Sequence, residues 1–298
     1  MRTITAEEVS RFWADGVVHL PQVLDAKDLA WLDEGLNESF ARLPSVEAFY
    51  DITAAGDALA KQGAAVLRDD LDDSGEKRGR FTSAVGLWML VPSVRRFVVE
   101  SDLPKVAAAL LRSRKVNLYD DQVLFKPPRT ADHTAFHQDQ PYFNVDGNKV
   151  CVMWVSPDVV TGDMGPMQYV RGSHLWGPTF KPNLFVSNTA LPGAEGTEQP
   201  DIEADRDRYD IVTYTSEPGD IIVHHYKTLH GSGGNVSPDR IRRAISVRYC
   251  GDDVRYLFRP SALPQPHHRH TLQDGDPIDS EPFPVVWEEG RGGQEPRR

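Results

Sequence analysis

Hydrophobic positions in the first hundred residues recur at the spacing of a helix. One stretch has a single apolar face made of Leu29, Leu32, Leu36, Phe40 and Leu43. An earlier helix begins at a capping box of Thr5 and Glu8 and ends at Gly16. A third helical stretch covers 93–112. The charged, glycine-containing segment 51–80 is predicted to be a loop with room for a helical turn.

After residue 115 the pattern changes to short β-rich runs separated by Gly, Pro, Asn and Asp. These runs are 116–125, 150–155, 167–170, 211–214, 221–225 and 244–249. Many short strands with such punctuation are typical of an all-β barrel or jelly roll rather than of alternating strands and helices. The sequence therefore predicts a mainly β fold with flanking α-helices.

The same patterns predict a single domain over residues 1–298. Residues 1–115 form a mainly helical N-terminal support, 116–255 the β core, and 256–298 an extended tail. The polar, acidic stretch 181–210 interrupts the core. Loops of that length are usually functional lids or disordered, and we expect a lid.

Composition and charge exclude several partners. The chain has 44 acidic against 33 basic residues, so it repels nucleic acid and anionic lipid. It contains no apolar run of membrane-spanning length, and its N-terminus is acidic where a signal peptide would be apolar. Cys151 and Cys250 lie in apolar runs and are predicted to be reduced core thiols. We expect a cytoplasmic protein whose partner is a small molecule; its oligomeric state stays open.

The chemistry concentrates in two segments. His137 and Asp139 are two residues apart, so on a strand both could point to one face and bind one cation. His230, in the run 219–232, is the best donor of a third ligand. Two imidazoles and one carboxylate on one face of an octahedron leave three positions open, as non-haem Fe(II) requires. An isolated His-x-Asp is more often a surface turn, so the context must decide.

That context includes a cationic strand about twelve residues after His230. If Arg242 shares a face with Ala244 and Ser246, it points inward, where its planar guanidinium suits the distal carboxylate of a dicarboxylic acid. A structural ion pair with an Asp is the alternative. Arg243 takes its place if the strand register slips by one residue.

In their order these motifs resemble the phytanoyl-CoA dioxygenase family of 2-oxoglutarate oxygenases. The matching residues are His137-x-Asp139, His230-Gly231-Ser232-Gly233-x-Asn235, Arg242-x-Ala244-Ile245-Ser246, Lys126-Pro127-Pro128 and Gly172-Ser173-His174. The resemblance covers roughly residues 5 to 255. It implies a double-stranded β-helix (jelly-roll, cupin-like) core.

The resemblance also implies the cofactors and the residues that bind them. Iron(II) would be bound by His137, Asp139 and His230. The co-substrate 2-oxoglutarate would be bound by Arg242 and Ser232 in a pocket lined by Lys126 and Trp154. The residues alone are equally compatible with a solvated strand end at Lys126 and ordinary core at Trp154. O2 is the second co-substrate, and ascorbate is a candidate reductant.

The implied activity is the hydroxylation of an unactivated C–H bond of a small molecule, coupled to conversion of 2-oxoglutarate to succinate and CO2. Desaturation and ring formation are related outcomes. Because Asp139 is retained, halogenation is not expected. The acidic segment 181–210 and a C-terminus without a peroxisomal signal put acyl-CoA in doubt as the substrate. The alternative is a cupin-type metalloenzyme, an isomerase or cofactor-independent dioxygenase, that does not use 2-oxoglutarate.

Other side chains have weaker signals. Tyr142 and Phe143 are candidate substrate-facing residues. One of His224 and His225 must face inward, and a hydrogen-bonded core role is the favoured interpretation. The tail histidines have no carboxylate or Cys nearby, so we predict a solvated tail rather than a second metal site at His267, His268 and His270.

Overall fold

The computed structural model describes residues 2–71, 77–262, 264–266 and 268–290. Its helices are α1 (Ala6–Asp15), α2 (Ala26–Arg42), α3 (Ile52–Lys61), α4 (Pro92–Glu100) and α5 (Leu103–Leu111). As predicted, Thr5 and Glu8 form a capping box, and Gly16, with φ of +75°, ends α1. Within the described residues, no helix combines the length and the apolar character needed to cross a membrane.

The strands form antiparallel sheets. In spatial order the larger one consists of β1 (Val17–Leu20), β10 (Ile221–His225), β7 (Val150–Val155), β12 (Arg242–Cys250), β4 (Lys115–Lys126), β3 (Thr82–Val85) and β2 (Phe49–Asp51), with β14 (Val285–Glu288) also on β4. The smaller sheet consists of β5 (Thr134–His137), β11 (His230–Ser232), β8 (Met167–Val170) and β9 (Ile211–Tyr214). A two-stranded ribbon consists of β6 (Val145–Asp146) and β13 (Arg255–Tyr256). The fold is the expected mainly β jelly roll with flanking helices.

Strand alternation divides the core into two layers. On β12, Ile245, Val247 and Tyr249 pack on the outer side of the larger sheet with the helical residues of α2, α4 and α5. Ala244, one residue out of step, packs between the sheets with Tyr169 of the smaller sheet. Polar side chains on that inner face therefore meet in the space between the sheets.

The N-terminal region is less purely helical than expected, because β1, β2 and β3 add to the larger sheet. The prediction of a loop was wrong for Ile52–Lys61, which is α3. Asp51 accepts a hydrogen bond from the Ala54 amide and so caps that helix. The sequence does not identify Asp51 as a cap, because it lies among many other charged residues.

The acidic segment is ordered although it has almost no regular structure. Beyond a single 3-10 turn at Arg206–Arg208, it is anchored by the buried side chains of Asn183, Val186 and Ile202. Asn183 donates to the carbonyl of Phe136 at 2.8 Å. The segment thus lies directly on β5.

The tail packs on the protein body. Ile278 and Phe283 are buried, and β14 pairs with β4. The prediction of a solvated tail was wrong for His268, whose side chain is 2% exposed and whose ring is 5.0 Å from that of Phe283. His270 lies against the same phenylalanine. His267 lies outside the described residues.

Candidate functional site

A cavity lies between the two sheets and is lined from both. His137 ends β5 and His230 begins β11, and these two residues pair directly across the strands. Asp139 lies just beyond β5 at the start of a 3-10 turn, with φ of −76° and ψ of −28°. Strand alternation alone therefore does not explain how it reaches the same point. Its amide donates to the Tyr226 carbonyl at 2.9 Å, which fixes the turn.

The three side chains converge and are buried. One ligand atom from each of His137, Asp139 and His230 lies within 4.8 Å of the others. The Asp139 carboxylate oxygens Oδ1 and Oδ2 are 3.8 Å from Nε2 of His137 and of His230, respectively. The sequence thus identified a group whose donor atoms can share one cation.

Both histidines are oriented for metal binding by their own backbone. Nδ1 of His137 lies 2.8 Å from the Ala135 carbonyl, and Nδ1 of His230 lies 2.9 Å from the Thr228 carbonyl. Since a carbonyl only accepts, each Nδ1 carries the proton and each Nε2 presents a lone pair to the centre.

The protonation states also suit a divalent cation. Burial, reinforced by neighbouring histidines, lowers the pKa of His137 and of His230 to about 4. Burial opposes ionisation of Asp139, but His230 and His224 hold the pKa of that carboxyl below its usual value. At neutral pH the group offers two neutral imidazoles and a carboxylate, which is the donor set that non-haem iron prefers.

His224 is a fourth residue at this centre. Its Nε2 lies 3.0 Å from Oδ2 of Asp139, and its ring is 4.2 Å from that of His230. His225 faces the other side of the sheet, 2.8 Å from the Asn148 carbonyl. The sequence favoured a core role for whichever histidine faced inward. The contact between His224 and Asp139 could not be predicted from the sequence, because it depends on how the chain turns between β10 and β11.

The geometry distinguishes the two candidate arginines. Arg242 is 1% exposed, lines the cavity and donates to the Gly165 carbonyl. Arg243 points outward and is ion-paired with Asp158 and Asp33 at 2.6 and 2.7 Å. Of the two, only the Arg242 guanidinium faces the same space as the triad.

The remaining predicted pocket residues lie around Arg242. Lys126 is its cross-strand partner and is fully buried, with Nζ 3.2 Å from Oγ of Ser232 and 2.7 Å from the Gly233 carbonyl. Ser232 and Trp154 line the cavity. Lys126 is thus not a solvated strand end, and burial lowers its pKa well below the ordinary value.

The two candidate substrate-facing aromatics are placed differently. Tyr142 contacts His137 edge-on at 5.8 Å, but its hydroxyl is bound to Asn183. Phe143 is buried in the same hydrophobic cluster as Tyr142. Neither residue is part of the cavity wall, whereas Phe185 of the acidic segment is.

A jelly roll with a buried two-histidine, one-carboxylate group facing an enclosed cavity defines the class of non-haem iron oxygenases. The sequence matches the model of the phytanoyl-CoA dioxygenase (PhyH) family over residues 12–244. The chain therefore belongs to the phytanoyl-CoA dioxygenase family, and it is an iron- and 2-oxoglutarate-dependent oxygenase. The cupin-type alternative without 2-oxoglutarate is not favoured.

Individual relatives have low sequence identity to this chain, but they match it over long stretches. Ectoine dioxygenase from Sphingopyxis alaskensis is 22% identical over 287 residues, covering 92% of this chain and 84% of that protein. A probable phytanoyl-CoA dioxygenase from Caenorhabditis elegans is 29% identical over 166 residues, covering 51% and 49%. The structure of the epimerase SnoN in complex with Fe³⁺, alpha ketoglutarate and nogalamycin RO matches with a TM-score of 0.67 at 22% identity, covering 94% of this chain and 97% of that one. At this identity the structural likeness establishes the fold.

Proposed function

We propose that the chain binds iron(II) through His137, Asp139 and His230 and hydroxylates an unactivated C–H bond of a small molecule. The observation that carries this proposal is the buried triad opening onto a cavity that also contains the Arg242 guanidinium. When bound, iron(II) would supply the oxygen chemistry. In this reaction 2-oxoglutarate and O2 give succinate and CO2, with one oxygen atom of O2 entering succinate and the other entering the substrate.

The residues around Arg242 would bind the distal carboxylate of 2-oxoglutarate. Arg242 is buried, and its Nε has no hydrogen-bond partner among the described residues. Ser232 can donate its hydroxyl, and Lys126 holds that hydroxyl from behind at 3.2 Å. The Arg242 guanidinium and the Ser232 hydroxyl, in buried surroundings, are a suitable site for a carboxylate that must be held in one orientation.

The cavity supports a small substrate. The substrate has to share this cavity with 2-oxoglutarate. With a formal net charge of −11, the chain is an unfavourable partner for nucleic acid. A cytoplasmic location and any use of ascorbate stay predictions.

The test is anaerobic titration with Fe(II), followed by titration with 2-oxoglutarate and assay of succinate. We expect one equivalent of iron in the wild type and none in His230→Ala. Arg242→Met should bind iron normally but need about tenfold or more 2-oxoglutarate, because a charge-assisted contact is lost.

Arg243→Met is the matched control, since it removes an arginine from the adjacent position of the same strand. It should leave the 2-oxoglutarate requirement unchanged. Normal iron binding by His230→Ala would reject the proposed triad. A raised requirement in Arg243→Met, with none in Arg242→Met, would reject the proposed clamp.

A further inference from the structure

A second buried arginine, Arg248, lines the cavity and has no role in the proposed function. It lies six residues after Arg242 on β12, so both side chains are on the inner face, and it is 3% exposed. Its cross-strand partner on β7 is Val152, and Val152 also pairs with His224 on β10. Arg248 therefore lies at the level of the triad, about two strand spacings from His224.

Among the described residues, Arg248 has no counter-ion in contact with it. No carboxylate oxygen in the described parts of the chain lies within 4.0 Å of its guanidinium nitrogens. Nη2 donates to Oε1 of Gln122, and Cζ lies 4.9 Å from the centroid of the Phe143 ring. Nε has no hydrogen-bond partner within the described part of the chain. These contacts hold the guanidinium in place without neutralising it.

The neighbouring acidic residues are already engaged. Asp120 is the cross-strand partner of Arg248, but its two oxygens accept from the Asp121 amide at 2.9 Å and from Nε2 of Gln265 at 2.8 Å. Asp121 accepts from the Trp88 amide at 2.8 Å, and burial raises its pKa to about 8. Asp121 is thus mainly protonated at neutral pH and contributes little negative charge.

The charges of the occupied site would leave Arg248 without an anion in contact among the described residues. An iron(II) ion would more than offset Asp139, and the two carboxylates of 2-oxoglutarate would be taken by the iron and by Arg242. A positive charge that stays buried and unpaired is costly, so such groups are normally paired when the site is filled. An additional anion is therefore needed beside Arg248.

We infer that Arg248 is an anion subsite that binds a carboxylate group of the substrate. The inference rests on the proposed function and narrows its substrate to a small organic acid. A single planar guanidinium matches the charge and the two oxygens of a carboxylate, whereas a phosphate dianion would call for a second cation. Because Arg248 lies at the level of the triad, the oxidised carbon would be only a few bonds from that carboxylate.

The test compares acids with their neutral amides on Arg248→Met and Arg248→Lys. The probes are hexanoate against hexanamide and L-norleucine against its amide. Binding to anaerobic protein loaded with Fe(II) and 2-oxoglutarate is measured by calorimetry, and succinate formation is measured in air. In the wild type we expect at least one acid to bind about tenfold or more tightly than its amide.

In Arg248→Met this preference should disappear, while Arg248→Lys should keep part of it because it keeps the charge but not the fork. The matched control Arg243→Met should keep all of it. The 2-oxoglutarate requirement should change less than about twofold in every variant. An acid preference that is absent in the wild type, or that survives in Arg248→Met, would overturn the inference.

A raised 2-oxoglutarate requirement in Arg248→Met would also overturn it, since Arg248 would then serve the co-substrate. Failure of the proposed function is distinguishable. In that case the wild type would neither bind stoichiometric iron nor form succinate under any condition, whatever the result with the acids.

Discussion

The position of the Asp139 carboxylate depends on His224. Since Oδ2 only accepts, Nε2 of His224 donates to it at 3.0 Å, and Nδ1 of His224 is then a buried acceptor without a partner among the described residues. This arrangement has a cost, because buried polar atoms are normally paired. It also restricts the carboxylate, leaving Oδ1 as the freer oxygen for a metal. Such contacts behind a ligand commonly tune metal affinity.

We therefore expect His224→Phe to weaken iron binding about 10- to 100-fold. The melting temperature of the metal-free protein should change little, because the variant also removes the unpaired Nδ1. Anaerobic iron titration and thermal unfolding measure the two effects separately. His225→Gln is the control, since His225 faces away and bonds to the Asn148 carbonyl. His225→Gln should lower the melting temperature and leave the iron affinity intact. If His225→Gln weakened iron binding and His224→Phe did not, the positioning role would belong to His225 and the prediction would be wrong.

At this scale the sequence predicted the residue types but not all their contacts. His137, Asp139, His230 and Arg242 were predicted because spacing and order are visible along a chain, and all four line one cavity. The contact of His224 with Asp139 was not predicted, since the distance between them is set by a turn between strands that has no simple periodicity.

At the scale of elements, the acidic segment 181–210 forms part of the cavity wall through Phe185. This residue has φ of +68°, a conformation that bulky side chains rarely adopt and that costs roughly 1–3 kcal/mol. Its amide donates to Oδ1 of Asn183 at 3.0 Å, and its carbonyl accepts from the Ala135 amide at 2.7 Å. The ring is held 5.3 Å from that of His137. We propose that the segment excludes water from the triad, as a lid would.

We expect Phe185→Ala to raise the fraction of 2-oxoglutarate that is consumed without substrate oxidation, by several-fold. The physical reason is that water enters the space left by the ring. Succinate and oxidised product are measured in the same reaction. Leu184→Ala is the control, because Leu184 is adjacent and half-buried but does not line the cavity. Equal uncoupling in both variants would indicate general loosening of the segment instead.

Elements were predictable where burial is continuous. The run 221–225 coincides with β10, and 244–249 lies within β12, although Ser246 and Arg248 interrupt the apolar residues of the second run. Ile52–Lys61 was mistaken for loop, since charged residues obscured its cap at Asp51. The tail was expected to be extended and its histidines solvated, yet Phe283 is fully buried. Tertiary contacts of that kind leave no local pattern.

At the scale of the whole molecule, stability should depend on pH through three buried histidines. Burial is the main cause that lowers the pKa of His137 and His230 to about 4 and that of His225 to about 3. In the unfolded chain their pKa is about 6.5. Between about pH 6.5 and 4 the unfolded chain therefore binds more protons than the folded one. By linkage, stability is present above that window and is lost as the pH falls through it.

Asp121, whose pKa burial raises to about 8, contributes with the opposite sign, but three histidines outweigh one carboxyl. We accordingly expect the melting temperature of the metal-free protein to fall by several degrees between pH 7 and pH 4.5. Measurements above pH 4.5 separate this effect from that of carboxylates such as Glu8. The pKa of Glu8 is lowered to about 2, so the stability that Glu8 contributes to the folded protein is lost only at lower pH. The double variant His137→Gln/His230→Gln should show a shallower fall. Added Fe(II) should raise the melting temperature at pH 7 and lose that effect as protons displace the metal. A flat profile in the metal-free wild type would mean that the histidines are hydrated, and a buried donor set for iron would then be the wrong description of the site.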